Sequence, residues 1–434
     1  MTVAVATERL TGMMRDSRSR TLELVAGLDR EQLFGPRLDI VNPLIWEIGH
    51  VAWFHEHFAL RRLAGGDTLL PNADALYNSS VVPHDDRWEL PLPALDGTLD
   101  YMRRVQDTML ARLDAPHAGA DESYLYQLTT FHEDMHDEAF TYTRQTLAYP
   151  EPRFAGSSTP ADAGAGPWPG DVDVPAGRFQ LGAQRGASFV FDNEKWAHPV
   201  AVGAFRIARA PVTNAEFAAF VEAGGYRQRT LWDDEGWHWR ENAKAEHPVY
   251  WQPQGNGRWK VRRFDRTEAL AAHQPVIYVN WHEANAWCRW AGRRLPTEVE
   301  WEAAAATEPA ADGPLGNHKR TFPWGEAPPS PARANLDGIA LGCVDVGACA
   351  AGDSAWGCRQ MIGNAWEWTA SPFDPFPGFS PDVYEDYSAP WFGTRKVLRG
   401  GAWPTRGRMI NNSYRNFFTP DRRDICAGFR TVAR

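Results

Sequence analysis

Two stretches of this chain carry apolar residues at the three- and four-residue spacing of a helix, and both hold histidines within that pattern. In NPLIWEIGHVAWFHEHF the repeat runs through Leu44, Ile48, Val51 and Phe54; around FHEDMHDEAF it runs through Leu128, Phe131, Met135 and Phe140. His132 and His136, four apart, project from one helix face a turn apart, so both imidazoles can reach one metal ion. A histidine of the other helix completes a three-histidine site. His50 is the candidate, but His55 and His57 follow closely and spacing does not choose among them. Three neutral imidazoles leave a first-row metal its full charge and open coordination positions, which suits a centre that holds substrates and dioxygen together.

Helical periodicity covers four stretches, roughly 5–28, 42–63, 95–114 and 121–147, with a proline-marked irregular segment at about 70–93. Four helices with an inward-facing metal site describe a bundle whose ligands come from facing helices. Residues 1–148 are therefore expected to form one domain. The Pro-, Gly-, Ala- and Ser-rich segment 149–173 reads as a linker. From 174 to 434 the pattern changes to short β-like runs with many glycines and tryptophans, and helices are expected only near 214–223, 282–290 and 297–306. The whole is an α+β multidomain chain with an irregular second domain.

A net charge of -10 and the absence of a Lys/Arg run argue against a nucleic-acid partner. The five cysteines form no CxxC pair, so neither a disulfide framework nor a zinc ribbon is expected, and reduced thiols in a cytoplasm fit best. Charge interrupts the N-terminal segment before a signal-peptide core can form, and no apolar run is long enough to span a bilayer. Export and membrane insertion are not expected. The 20 tryptophans imply a fold that buries many indoles.

The second domain resembles the formylglycine-generating-enzyme, or sulfatase-modifying-factor, fold, a relative of C-type lectin domains. The resemblance rests on VPAGRFQLGA, APVTNAEFAAFV, PVIYVNWHEANAWCRWAGRRLPTEVEWEAAA, FPWG, GNAWEWTAS, VLRGGAW, YRNFF and AGFR, taken in order. Some of these residues have plain local roles. Gly363 and Asn364 can turn the chain ahead of buried Trp366 and Trp368, and Thr297 with Glu300 has capping-box spacing. The catalytic cysteine pair of formylglycine-generating enzymes has no counterpart in PTRGRMINNSYR, so that activity is not expected.

A DinB-like four-helix bundle with a histidine and HxxxHxE, joined to this second fold, resembles the ergothioneine sulfoxide synthase family and, within it, most closely the selenoneine synthases. The resemblance implies a mononuclear non-heme Fe(II) enzyme that couples dioxygen, a sulfur or selenium donor and hercynine, the trimethylated betaine of histidine. It implies His50, His132 and His136 as ligands, with Glu138 orienting a ligand imidazole from behind. Asn416, Phe417 and Phe418 of YRNFF match the hercynine pocket, where aromatic faces would hold the quaternary ammonium. Tyr387 matches the family's proton-donating tyrosine.

The donor is argued from departures. Where ergothioneine enzymes carry an arginine-rich stretch for γ-glutamylcysteine, YNSSVVPHDDRWELPLPAL keeps Arg87 alone, beside Asp85 and Asp86. Two carboxylates would meet one arginine, whereas the two aspartates could accept hydrogen bonds from sugar hydroxyls, so a 1-selenosugar is the expected donor. Met135, between the metal histidines, puts a soft thioether where glutamine is usual. Three alternatives stand beside this reading: an ergothioneine sulfoxide synthase using γ-glutamylcysteine or cysteine, a DinB-type zinc thiol transferase, and a non-catalytic lectin-like binding module.

Overall fold

The structure, a computed structural model, describes residues 4–113, 119–310, 315–316 and 318–434. The chain divides into two compact units. The first comprises Met1–Phe154, Arg185–Val190 and Pro381–Tyr387; the second comprises Ala155–Gln184, Phe191–Ser380 and Ser388–Arg434.

The first unit is built on four helices, α1 (Thr7–Val25), α2 (Leu44–His55), α3 (Leu95–Leu113) and α4 (Ala120–Thr146). Residue 114, the expected end of the third, lies outside the described residues. α1 packs on α4, and α2 packs on both α3 and α4. Every residue of α2 is buried, as expected of a helix apolar on nearly all sides and enclosed by its neighbours. α2 does not end at His55. It runs through a π-helical turn, Glu56–Leu60, into a last short turn, Arg61–Ala64. Glu56, buried in that turn, accepts hydrogen bonds from the Tyr101 hydroxyl of α3 and the Leu69 amide.

The α1–α4 contact is polar as well as apolar. Ser17 donates to Asp134, Thr21 to Asp137, and Arg18 pairs with Glu133 at 2.8 Å. The segment 70–93, expected to be irregular, contains a helical turn at Ala73–Tyr77 and a 3-10 turn at His84–Trp88. The segment 381–387 packs with the helices although the sequence reading assigned it to the second domain. Tyr124 donates to Asp382 at 2.7 Å, Ser80 to Asp386, and the Tyr384 ring meets Phe54 edge-on and Phe58 at a tilt.

The second unit contains short strands in several small sheets. One orders Asp171–Val174, Phe205–Ala208, Val432–Ala433 and Arg293–Arg294; another orders Asn416–Phe418, Lys396–Arg399, Trp366–Pro372 and Ala427–Gly428. The helices α5 (Asn214–Glu222), α7 (Trp281–Trp290) and α8 (Glu298–Ala306) carry complete capping boxes, from Thr213, Asn280 and Thr297 respectively. Between them lies α6 (Asp234–Asn242), not expected from the sequence. Trp301 of α8 sits in a core with Phe179, Ile207, Met361 and Val432. Gly363 and Asn364 both take positive φ, ahead of fully enclosed Trp366 and Trp368. All five cysteines are free thiols, and no described helix is long and apolar enough to cross a membrane.

Candidate metal centre

α2 and α4 bring His50, His132 and His136 together, with one ring nitrogen from each lying within 4.8 Å of the others. Ring centroids are 5.1 Å apart for His50 and His132, 5.0 Å for His50 and His136, and 4.6 Å for His132 and His136. Burial lowers the pKa of His50 and His132 well below the ordinary value, and the neighbouring imidazoles lower it further. Both are therefore neutral near pH 7, the state in which imidazole ligates a metal.

Hydrogen bonds orient two of the rings. His50 uses Nδ1 toward the Tyr77 carbonyl oxygen at 2.8 Å, which requires the Nδ1–H tautomer and leaves Nε2 as a lone pair. His136 Nδ1 lies 2.8 Å from Glu47 Oε1 and, facing a carboxylate, carries the hydrogen in the same way. His132 stacks on Phe54 with centroids 3.5 Å apart, and its buried Nδ1 has no hydrogen-bond partner. A buried ring nitrogen without a partner, within a cluster of three imidazoles, fits a metal ion.

The other histidines of this helix are engaged elsewhere. His55 Nε2 contacts Glu133 at 2.8 Å within the Arg18 network. His57 receives the Arg61 guanidinium at 2.6 Å and stacks on Trp53. Of the three histidines on this helix, His50 is the one brought together with His132 and His136.

Glu138, expected behind a ligand imidazole, is buried on α4, but the carboxylate that meets His136 Nδ1 is Glu47 of α2. Glu47 stands three residues before His50, on the same helix face. The sequence reading missed Glu47, although an acid inside a wholly buried helix was a usable signal, because such a group needs a polar partner.

Tyr387 comes to the helical unit with segment 381–387, and its hydroxyl lies 3.7 Å from the Met135 sulfur. Tyr384, also missed, sits between Tyr387 and the centre, with its ring 6.0 Å from His132 and 5.9 Å from Tyr387. Burial raises the Tyr384 hydroxyl to about 12. Arg87 turns inward from its 3-10 turn to lie 4.0 Å over Trp46, which in turn stacks on His50 at 4.9 Å. Asp85 and Asp86 are exposed on the same turn, and Asp85 meets His84 at 3.2 Å.

Asn416, Phe417 and Phe418 form a half-buried strand of the second unit. Asn416 Oδ1 accepts the Phe417 amide at 2.8 Å, Phe417 stacks on Phe373 at 4.0 Å, and the Arg422 guanidinium lies 5.2 Å from the Phe418 ring centroid. Phe418 thus already faces one cation within its own unit.

Comparison with known proteins agrees with this two-part construction. Residues 13–140 match the DinB superfamily, and residues 157–434 match the sulfatase-modifying factor enzyme 1-like domain. Hercynine oxygenase of Mycolicibacterium thermoresistibile is 40% identical, over 97% of this chain and 94% of the relative. The hercynine oxygenase of Mycobacterium tuberculosis is 39% identical over 98% of both chains. Formylglycine-generating enzyme of Thermomonospora curvata is 30% identical, but over only 61% of this chain and 93% of its own length. Likeness that spans both units, rather than the second alone, means that the chain belongs to the hercynine oxygenase family.

Proposed function

We propose that this protein is an oxygen-dependent non-heme Fe(II) enzyme that joins a chalcogen to the imidazole carbon of hercynine, with a 1-selenosugar as donor. The observation that carries the reading is the cluster of three imidazoles within 4.8 Å, in a chain that is 40% identical to a hercynine oxygenase over nearly its whole length. His50, His132 and His136 would hold the iron. Bound iron would supply open positions at which the substrates and dioxygen meet, and proximity would then contribute much of the rate.

The chain's own residues have separate tasks in this reading. Glu47 holds the His136 ring at a fixed angle through Nδ1. Tyr387 delivers a proton from its hydroxyl. Phe417 and Phe418 offer π-faces to the trimethylammonium, which can form no hydrogen bond, and Asn416 serves the polar groups of hercynine. Arg87, with Asp85 and Asp86, receives the donor, and Met135 lines the centre beside Tyr387. The new bond replaces the imidazole C–H and the Se–H of the donor, which supplies two electrons and two protons to dioxygen; oxidation of the new selenide to the selenoxide supplies the other two electrons, so that one oxygen atom stays on selenium and the other leaves as water. The free thiols of all five cysteines fit a reducing cytoplasm.

The test is an anaerobic mixture of protein, Fe(II), hercynine and either a 1-selenosugar or γ-glutamylcysteine, started with oxygen. Consumption of the selenosugar far faster than the peptide is expected. Preference for the peptide would move the chain to the sulfur branch, and product without added metal would remove the iron centre.

A further inference from the structure

One face of α2 is tied to a single short segment. Trp46, Gly49, His50 and Trp53 recur at three- and four-residue spacing and therefore share that face. Against them lies the helical turn Ala73–Tyr77, whose last carbonyls have no partner inside so short a helix. Two of these carbonyls are taken by α2: Trp46 Nε1 donates to the Leu76 oxygen at 2.7 Å, and His50 Nδ1 to the Tyr77 oxygen at 2.8 Å. Trp53 Nε1 donates to Asp74 Oδ1 at 2.6 Å, and Arg61, beyond the π turn, donates to both oxygens of the same carboxylate at 3.0 and 2.6 Å. Tyr77 is fully enclosed, and its ring fits because residue 49 is glycine: a Cβ there would lie 2.2 Å from the Tyr77 Cε1 and Cζ atoms.

We propose that the segment Ala73–Tyr77 is the clamp that holds His50 in its metal-binding tautomer, with Gly49 and Asp74 as positioning residues of the centre although neither supplies a ligand. A neutral imidazole free in water favours the Nε2–H tautomer, which would put a hydrogen on the nitrogen that His50 offers the metal. The Tyr77 carbonyl reverses that preference, because only an Nδ1–H satisfies it. That carbonyl is a backbone group, so its place is set by the anchors of the segment. The Tyr77 ring in the Gly49 notch fixes one end, and Asp74, held by Trp53 and Arg61, fixes the other. A shift of the backbone by about an ångström breaks such a hydrogen bond, and close packing around the Tyr77 ring converts added bulk at residue 49 into that shift. The assignment rests on the reading of the centre given above and adds to it what fixes one of the ligands.

Gly49→Ala adds the one atom the notch cannot hold. Nitrogen NMR of the metal-free protein, made with isotope-labelled histidine, reads which ring nitrogen of His50 carries the hydrogen. The wild type is expected to show Nδ1–H and the variant to shift toward Nε2–H, a change that loss of packing alone does not produce. Co(II) affinity, followed through the visible absorption of the bound ion, is expected to weaken about tenfold to a hundredfold, the usual effect of losing the partner of a ligand imidazole. Retention of the Nδ1–H tautomer, or of wild-type Co(II) affinity, would overturn the proposal.

A surface variant carries the test if Gly49→Ala does not fold. The Asp74 side chain is half exposed, so in Asp74→Ala water can take its place against Trp53 and Arg61 and the unit still folds. Co(II) affinity is expected to fall by at least about threefold, less than for Gly49→Ala because Asp74 acts from the far end of the segment. Asp74→Asn keeps an oxygen for the Trp53 Nε1–H and should recover most of that loss. Unchanged affinity in Asp74→Ala, or a loss that Asp74→Asn does not recover, would overturn the clamp. His50→Ala tests the centre separately: if it binds Co(II) as tightly as the wild type, the three-histidine reading fails, while the tautomer of His50, read without metal, still reports on the clamp.

Discussion

His55 illustrates how the same residue type, five positions along one helix, takes an entirely different role. His50 joins the other two imidazoles, while His55 meets a glutamate that also binds Arg18 and Thr21. His50→Ala is expected to abolish metal binding, whereas His55→Ala should retain it and lower stability by about 1–3 kcal/mol, the cost of removing one partner from a buried polar network. Iron analysis and denaturant unfolding of the two variants check this. Metal lost from His55→Ala but kept by His50→Ala would reverse the assignment. Tyr387→Phe is a second test at this scale. Only the hydroxyl leaves, so turnover should fall while hercynine affinity is retained, and wild-type rates would rule out proton delivery.

His132 and His136 were legible as a pair in the sequence because four-residue spacing on one helix is a local property, whereas spacing did not choose His50 over His55 and His57. Glu47 was not legible. Its partner lies 89 residues away on another helix, and no spacing rule reports that pairing. Tyr384 escaped for the same reason, since its neighbours Phe54 and His132 come from α2 and α4.

At the scale of elements, the strongest sequence signals were those with a complete local explanation. The Thr297–Glu300 spacing forms the capping box of α8, and Glu300 also takes both ends of the Arg294 guanidinium. α6 was missed because DEGWHWREN is short and polar and has a glycine at its third position, so its apolar period is weak. Its start was nevertheless encoded in Asp233, whose carboxylate accepts the Gly236 amide. α2 shows the converse limit, since periodicity found the helix but not the π turn after His55.

The RGG motif also becomes clear from packing. Gly400 has φ +96, and a Cβ there would lie 2.5 Å from the Met361 carbonyl oxygen, so only glycine fits without moving backbone. Arg399, just before it, is wholly buried and joins Glu298 and Glu302 of α8. Arg399→Met should cost about 3–5 kcal/mol, because two buried carboxylates lose a shared cation. The exposed arginine of the Arg103–Asp100 pair provides the control, and Arg103→Ala should leave the unfolding midpoint in place.

For the whole molecule, one buried acid carries a pH dependence that a single substitution isolates. Glu194, 2% exposed in the second unit, accepts the Ser413 hydroxyl at 3.0 Å. Burial raises its pKa to about 7, with Glu302 adding to the rise and Ser413, Arg399 and the Phe191 backbone opposing it. Between the ordinary carboxyl value of 4.5 and about 7, the folded chain therefore keeps a proton that the unfolded chain has released. The unfolded state binds fewer protons there, so stability falls as pH rises through this window. The stabilisation is complete below the lower value and lost above the upper one. Asp74 and Asp233, both depressed to about 2 by their partners, act in the opposite sense and only in acid, while Glu283, raised by burial, and His50 and His132, lowered by it, contribute equally to wild type and variant and cancel in their difference. Glu194→Gln keeps an oxygen for Ser413 and cannot ionise. Above pH 7 it should be more stable than the wild type by up to about 3 kcal/mol, and the difference should shrink toward pH 4.5. Denaturant unfolding of both proteins at several pH values measures this difference directly. Parallel curves would show that Glu194 is ionised in the fold, with the burial cost already met by Ser413 and Arg399.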